Sequence, residues 1–465
     1  MTDGSDVPSD LWRRAADLAI DYRRRLDGRP QRAEQDFAAA ASAWSMPTPE
    51  QGSAPDAVIA ELARLAEPGL QASAGRRFYG WVIGSSHPVG VAADWLTASW
   101  GQNAGNHVAS PAAAAAEAIA EKWLLDILRL PAAASIGFVT GATVANFVGL
   151  AAARGEVLRR VGWDVERDGL FGAPPVIVLI GEEAHATVFS ALQFLGFGHD
   201  RPIRVASDAQ GRLLPAALER ALAAHRGPSI VVTQAGHINT GAFDPHAIVV
   251  PMAKAAGAWV HVDGAFGLWA RASAAQADLA EGVDQADSWA TDGHKWLQTP
   301  YDCGYAIVRD SEAHRRAMVI AASYLPATAS GERDPSHFVP ELSRRARGFA
   351  TWAMLRHLGR RGVGEMVDRH CRLARRLAER VAREAGIAVL NDVVLNQVIV
   401  RMGDDDSRTA ATIARLQADG VAFAGGARWR GKAVMRVSVS GWATTEEDID
   451  RTADAIVAAW RAVRR

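Results

Sequence analysis

A chain of 465 residues can bury a large core and exceeds the length of an ordinary single domain. Its 51 Lys+Arg against 52 Asp+Glu leave a net charge of −1, so no bulk field favours nucleic acid or an anionic membrane surface. Two cysteines are too few for a disulfide framework, no apolar run reaches membrane-spanning length, and the polar MTDGSDVPSD start lacks a signal-peptide core; a reduced, cytoplasmic setting is expected.

Ser9–Leu26 carries Leu11, Trp12, Ala15, Leu18, Ala19 and Tyr22 at helical spacing and stops at Gly28-Arg-Pro30, which predicts an amphipathic helix. Ser45–Ser53 reads as a linker, and a second helix follows around Pro55–Leu65. Gly75–Gly105 is dense in aromatics and glycines, among them Phe78, Tyr79 and Trp81. A helix over Pro111–Leu130 opens on a first-turn proline. The strand Ala134–Val139 then runs into Thr140-Gly-Ala-Thr143 and a helix from Val144 to about Arg160. Small residues at such a helix start let backbone N–H groups approach a phosphate, with Thr143 adding a hydroxyl. Val176–Gly181 is a short apolar strand ending at Glu182-Glu-Ala-His185, and Ile230–Thr233 another, followed by the loop from Gln234 to Asp244.

Two further strands hold the most informative residues. Ala258–Asp263 breaks at Gly264 and leaves an acid at a strand end; Ala286–Thr291 runs into Asp292-Gly-His-Lys295. Strand ends are where open α/β sheets keep their ligands. A lysine at one end and a carboxylate at another suit pyridoxal 5'-phosphate (PLP): the lysine holds the cofactor as a Schiff base, and the carboxylate pairs with the ring nitrogen. His261 and Asp263 read as strand alternation with one side chain on each face, and no Cys/His spacing suits a metal.

The stretches HVDGAFG and ADSWATDGHKWLQTPYDCG closely resemble the group II PLP-dependent decarboxylases, the family of aromatic-L-amino-acid, tyrosine and glutamate decarboxylases. The resemblance spans about residues 20–455 and implies a fold-type I PLP enzyme: a large domain with a mostly parallel, seven-stranded-type sheet, a small C-terminal α+β domain and an N-terminal helical segment. It implies Lys295 as the Schiff-base lysine, Asp263 as the ring-nitrogen partner and His185 stacked on the ring. Ala142, Thr143, Ala265, Asp292, His294 and Tyr301 complete the implied cofactor set, with Trp81, Tyr79 and His237 lining the substrate side. Val144 stands where the family has glutamate, and His237-Ile238 where it has hydroxyl residues. A homodimer with shared active sites and an amino-acid substrate, with neither nucleic acid nor membrane as partner, are also implied.

Beyond Arg309 the character changes. Ser323–Glu341 reads as a long loop; helices follow at about Ala350–Leu358 and Gly364–Ala385, then Ile387–Met402, a helix Ser407–Gly420, a strand Ala433–Ser440, and a last helix with a capping-box pattern at Thr444-Thr-Glu-Glu-Asp448. The expected division is 1–100, 101–345 and 346–465. The family's aromatic decarboxylases place a tyrosine on this loop to protonate Cα, and the aligned position here falls near Asp334, Pro335 or Ser336. Tyr324 and His337 are the candidate donors. The expected function is decarboxylation of an L-amino acid, aromatic or apolar by preference. The alternatives are a decarboxylation-dependent aldehyde synthase, a PLP-dependent lyase or aminotransferase, and, least favoured, a PLP-binding protein without turnover.

Overall fold

The computed structural model of the protein describes residues 9–319 and 333–464. Seven strands form the large sheet: β1 (Ser135–Val139), β2 (Ile177–Gly181), β3 (Ile203–Val205), β4 (Ser229–Gln234), β5 (Trp259–Asp263), β6 (Ser288–Asp292) and β7 (Gly304–Val308). Their order is β1-β7-β6-β5-β4-β2-β3, and β7 alone runs antiparallel to its neighbours. The mostly parallel sheet expected from the sequence is therefore present. SIVVTQ and WVHVD are buried along their whole length, as strands covered on both faces must be. Along β4, Val231 packs into one core while Ile230 and Val232 pack into the core on the other face.

The topology sets the carboxyl ends of β1, β2, β4, β5 and β6 along one edge. There the chain carries Thr140, the Glu182–His185 turn, Gln234, Asp263 and Asp292.

A second, fully antiparallel sheet has the order β10-β11-β9-β8, with β8 Ile387–Val389, β9 Gln397–Met402, β10 Gly425–Trp429 and β11 Lys432–Ser438. The helices Arg347–Val381, Asp406–Asp419 and Glu446–Val463 pack on this sheet or on one another. The two helices expected across Ala350–Ala385 are one long element broken at Gly359, whose φ of 60° and ψ of 176° leave helical space. The capping box of the last helix is made by Thr445 and Asp448, one residue beyond the Thr at which the sequence pattern begins.

Tyr79 departs from its expected place on the substrate side. It is 1% exposed and belongs to the core of the small sheet, where its hydroxyl accepts from Thr452 Oγ1 at 3.2 Å. Its backbone is drawn there too, the N–H reaching Phe423 O and the carbonyl accepting from Ser438 N. Near the amino terminus, the helix Ser9–Arg25 has no buried residue. Among the described residues no helix is long and apolar enough to cross a membrane.

Candidate active site

Asp263 closes β5 at the sheet's carboxyl edge and is 5% exposed. One carboxylate oxygen accepts from Ala265 N at 3.1 Å, the other from Asn146 Nδ2 at 3.4 Å. Asp292 closes β6 and is also buried; its Oδ2 lies 3.0 Å from Lys295 Nζ. The other Asp292 oxygen takes the Ala142 N–H at 2.6 Å, so the lysine turn is tied to the helix Ala142–Arg159. That helix makes its first backbone bond from Ala145 N to Gly141 O, which leaves the amides of Thr143 and Val144 free of helical partners. Gly141 cannot carry a side chain here, because a Cβ would meet His294 Cε1 at 2.9 Å.

His185 caps the helix Ala186–Phe194. Its Nδ1 accepts the Thr187 N–H at 3.3 Å and lies 2.7 Å from Thr187 Oγ1. With Nδ1 occupied as an acceptor, the proton of the neutral ring sits on Nε2. Burial lowers the His185 pKa, opposed in part by the Asp263 carboxylate.

The lysine turn is clamped from outside the sheet. Gln298 Nε2 donates to Lys295 O at 3.0 Å and to Ser440 O at 2.7 Å, while its Oε1 accepts from Ser85 N at 2.9 Å. Gly84 donates its N–H to His294 O, and a Cβ there would lie 2.3 Å from Lys295 O. His294 Nδ1 accepts from Cys303 N, and its ring stacks on Tyr301 with centroids 4.3 Å apart. Tyr301 is 54% exposed and stands at the mouth.

The edge holds a cavity of ≈ 320 Å³. Ala142, Thr143, His185, Asp263, Ala265, Asp292, His294, Lys295 and Tyr301 all reach it. The substrate-side expectations fare differently. Trp81 is half exposed and packs against Phe78 and Phe423, while its neighbour Val82 lines the cavity. Tyr79 lies in the small core described above. His237 is 2% exposed and holds its own loop together: its ring contacts Glu183 O at 3.0 Å and accepts from Asn239 N, so that Gly236 and Ile238 face the cavity instead. Burial pushes the His237 pKa down to about 4.

His337 sits in a short 3-10 turn, Pro335–Phe338, against β1 and 3.8 Å from Asp334; it does not line the cavity. Tyr324 falls outside the described residues. Sequence reasoning passed over Val82, Gln234, Ile238 and Phe266 as lining residues. It also passed over Arg436, whose charge acts on both His185 and His237 and whose described bond goes to Asn239 Oδ1 at 3.2 Å. An arginine in the middle of MRVSVS reads as the solvent face of a strand, yet burial lowers its pKa to about 10.

Comparison with known proteins gives concordant results. A family profile described as "Pyridoxal-dependent decarboxylase conserved domain" matches residues 43–402. The chain is 26% identical to an aromatic-L-amino-acid decarboxylase of Bacillus atrophaeus, over 94% of this chain and 92% of that protein. It is 28% identical to an L-2,4-diaminobutyrate decarboxylase of Rhizobium meliloti (strain 1021), over 88% and 83%. Its fold is similar to the crystal structure of Oryza sativa TDC with PLP and tryptamine, with a TM-score of 0.92, 23% identity and full coverage of both chains.

Proposed function

Because the chain belongs to the pyridoxal-dependent decarboxylase family, and is thus a carboxy-lyase of amino-acid metabolism that uses PLP, we propose that Lys295 carries the cofactor and that the preferred substrate is an L-amino acid with an aromatic or apolar side chain. The observation that carries this reading is the convergence of Lys295, Asp263 and His185 on one ≈ 320 Å³ cavity. The residues present fit the cofactor. The free amides of Thr143 and Val144 beside the bare Gly141 suit a phosphate, and the buried Asp263 carboxylate suits a protonated ring nitrogen. When bound, PLP supplies an electron sink for the bond that breaks at the substrate's Cα.

The protein's own groups divide the remaining work. Asp292 holds the Lys295 amine at 3.0 Å and is the acceptor at hand when that amine sheds a proton. The Nε2–H of His185 is a donor directed by its cap geometry, available to a carboxylate or to a cofactor oxygen. Val82, Ile238 and Phe266 give the cavity apolar walls that displace water from a substrate side chain. Among the cavity-lining residues the acids are Asp263 and Asp292 and the basic residues Lys295 and two histidines. All five have partners or roles on the cofactor side, which supports an uncharged substrate side chain over a charged one.

We further propose a cytoplasmic homodimer. Trp12, Phe37, Trp44, Trp95 and Trp100 are between 43% and 87% exposed, and a second copy is the occupant that would bury them and cover Tyr301 at the mouth. Both cysteines are buried and unpaired, in keeping with a reducing compartment.

A second reading is favoured by one observation: of the tyrosines in the described residues, Tyr301 alone lines the cavity, and His337 does not. If no group protonates Cα, an oxidative route is open in which the amino acid, O₂ and water give aldehyde, CO₂, ammonia and H₂O₂. Incubation with a panel of L-amino acids, following CO₂, amine, ammonia and H₂O₂ together, separates the two. Amine matching CO₂ is expected; stoichiometric H₂O₂ and ammonia would replace the decarboxylase by the aldehyde synthase. Preference for a charged amino acid would overturn the substrate class.

A further inference from the structure

Behind Asp263, away from the cavity, lies a line of buried polar groups that none of the chemistry above uses. Trp259 Nε1 donates to Ser288 Oγ at 2.8 Å, and Ser288 Oγ lies 2.8 Å from His261 Nδ1. His261 Nε2 lies 2.8 Å from Asn146 Oδ1, and Asn146 Nδ2 donates to Asp263 Oδ2 at 3.4 Å. Ser288, His261 and Asn146 are wholly buried, and Trp259 is 2% exposed. His261 and Asp263, expected on opposite faces of β5, share one face, because residues two apart on a strand point the same way. Asn146 on the adjoining helix meets both. The helix makes room for the ring at Gly149, where a Cβ would lie 2.7 Å from His261 Cε1.

The carboxylate end sets the direction of the bonds behind it, and the indole end is consistent with them. A carboxylate can only accept, so Asn146 turns its N–H group to Asp263 and its Oδ1 to His261. That oxygen can only accept in turn, so the ring carries its proton on Nε2 and leaves Nδ1 as an acceptor for the Ser288 hydroxyl. An indole N–H can only donate, and Ser288 Oγ accepts it while giving its own proton to His261. Reversing Asn146 would set two oxygens against each other at Asp263 and leave His261 Nε2–H facing an N–H donor. Burial holds the His261 pKa down to about 3, so the ring is neutral and has one proton to place.

We propose that Asn146 and His261, backed by Ser288 and Trp259, are positioning residues that orient the Asp263 carboxylate toward the ring nitrogen of the cofactor. The inference rests on the assignment of Asp263 as that nitrogen's partner. With Ala265 N–H on one oxygen and Asn146 on the other, the carboxylate plane is held from two sides. A chain of aligned donors also polarises, each bond strengthening the next in a dry interior.

The test compares binding of PLP with binding of its analogue in which carbon replaces the ring nitrogen, using the apoprotein of each variant. Asn146→Leu and Ser288→Ala are expected to weaken PLP binding, Asn146→Leu by roughly tenfold, the scale of one hydrogen bond to a charged group. Neither is expected to change affinity for the carbon analogue. His261→Gln, which retains an N–H donor for Asn146, is expected to recover PLP affinity that His261→Leu loses. Equal loss for both ligands would mean packing alone and would overturn the proposal, as would no loss for either. Trp259→Phe removes the donor together with part of the buried ring volume and serves if the other variants do not fold, the carbon analogue again separating the lost donor from the lost packing. Asp263→Asn is run in parallel. If it discriminates between the two ligands while Asn146→Leu does not, the relay is wrong. If Asp263→Asn treats both ligands alike, the assignment of Asp263 itself falls.

Discussion

Lys295 Nζ lies 3.0 Å from Asp292 Oδ2, and the same carboxylate takes the Ala142 N–H at 2.6 Å. One strand-end side chain thereby links the lysine to the first turn of the neighbouring helix. The lysine is 18% exposed by side chain and its partner 2%, so solvent screens this pair far less than a surface ion pair.

Lys295→Ala is expected to abolish the visible absorption of the loaded protein and the borohydride-fixed cofactor adduct. Turnover should fall on the order of 10³-fold or more, since the covalent step loses its nucleophile. Peptide mapping of the reduced wild type checks the assignment, and an adduct on any other lysine would move the role elsewhere.

His185→Asn is expected to lower kcat on the order of 10²-fold or more, the range of a lost positioned proton donor. Its burial-lowered pKa gives the pH dependence its sign. The neutral ring predominates at pH 7, and activity falls only as pH drops through the lowered value, below the ordinary 6.5. An acid limb lying above 6.5 in the kcat profile would contradict this.

Gln298→Ala removes the amide that serves Lys295 O, Ser440 O and Ser85 N–H together. Stranding these buried groups should cost about 2–4 kcal/mol in denaturant unfolding. The loss should exceed that of a surface Gln→Ala change several-fold; a cost within ~0.5 kcal/mol would show that the clamp is not a stabilising element.

His246 is fully buried, and among the described residues neither ring nitrogen has a partner. Burial holds its pKa to about 3 against 6.5, so across that window the unfolded chain binds a proton that the folded chain does not. Its contribution to stability is full above about pH 6.5 and is lost as pH falls, by about 1.4 kcal/mol per pH unit for one such ring. Asp244 has the opposite sign: its pKa is raised to about 6 by burial, so its contribution is full below 3.8 and is lost as pH rises through about 6. His246→Leu should therefore raise the melting temperature at pH 5 more than at pH 8. An equal shift at both values would show that the ring does not titrate as described.

Much of this site was legible in the sequence because it lies where strands end. Asp263, His185 and Thr143 each follow a short, largely apolar run and Lys295 the strand SWATD, and the turn chemistry marks the strand's end without knowledge of the neighbours. Tyr79 and Trp81 were misplaced for the converse reason. Their segment has no period, and its path is set by Phe423 and Ser438, more than three hundred residues away. The strand β10, GGARW, opens on two glycines and shows no alternation; pairing with β11 creates it. His261 and Asp263 share one face of β5, against the expectation of one side chain on each, because the strand's period of two puts them together.

The clamp at Gln298 has a consequence for how the protein comes into being. Its amide ends on Ser440, 142 residues later, and Arg77 pairs with Asp448 at 3.0 Å across a separation of 371. A ribosome that has delivered every strand of the large sheet has not yet delivered Ser440, on which one end of this clamp closes. Such distant closures form late. The Ser440 end of the clamp therefore closes only when the chain is nearly complete, and a premature stop before residue 440 would yield a protein that retains every residue of the cavity wall but leaves that end of the clamp open.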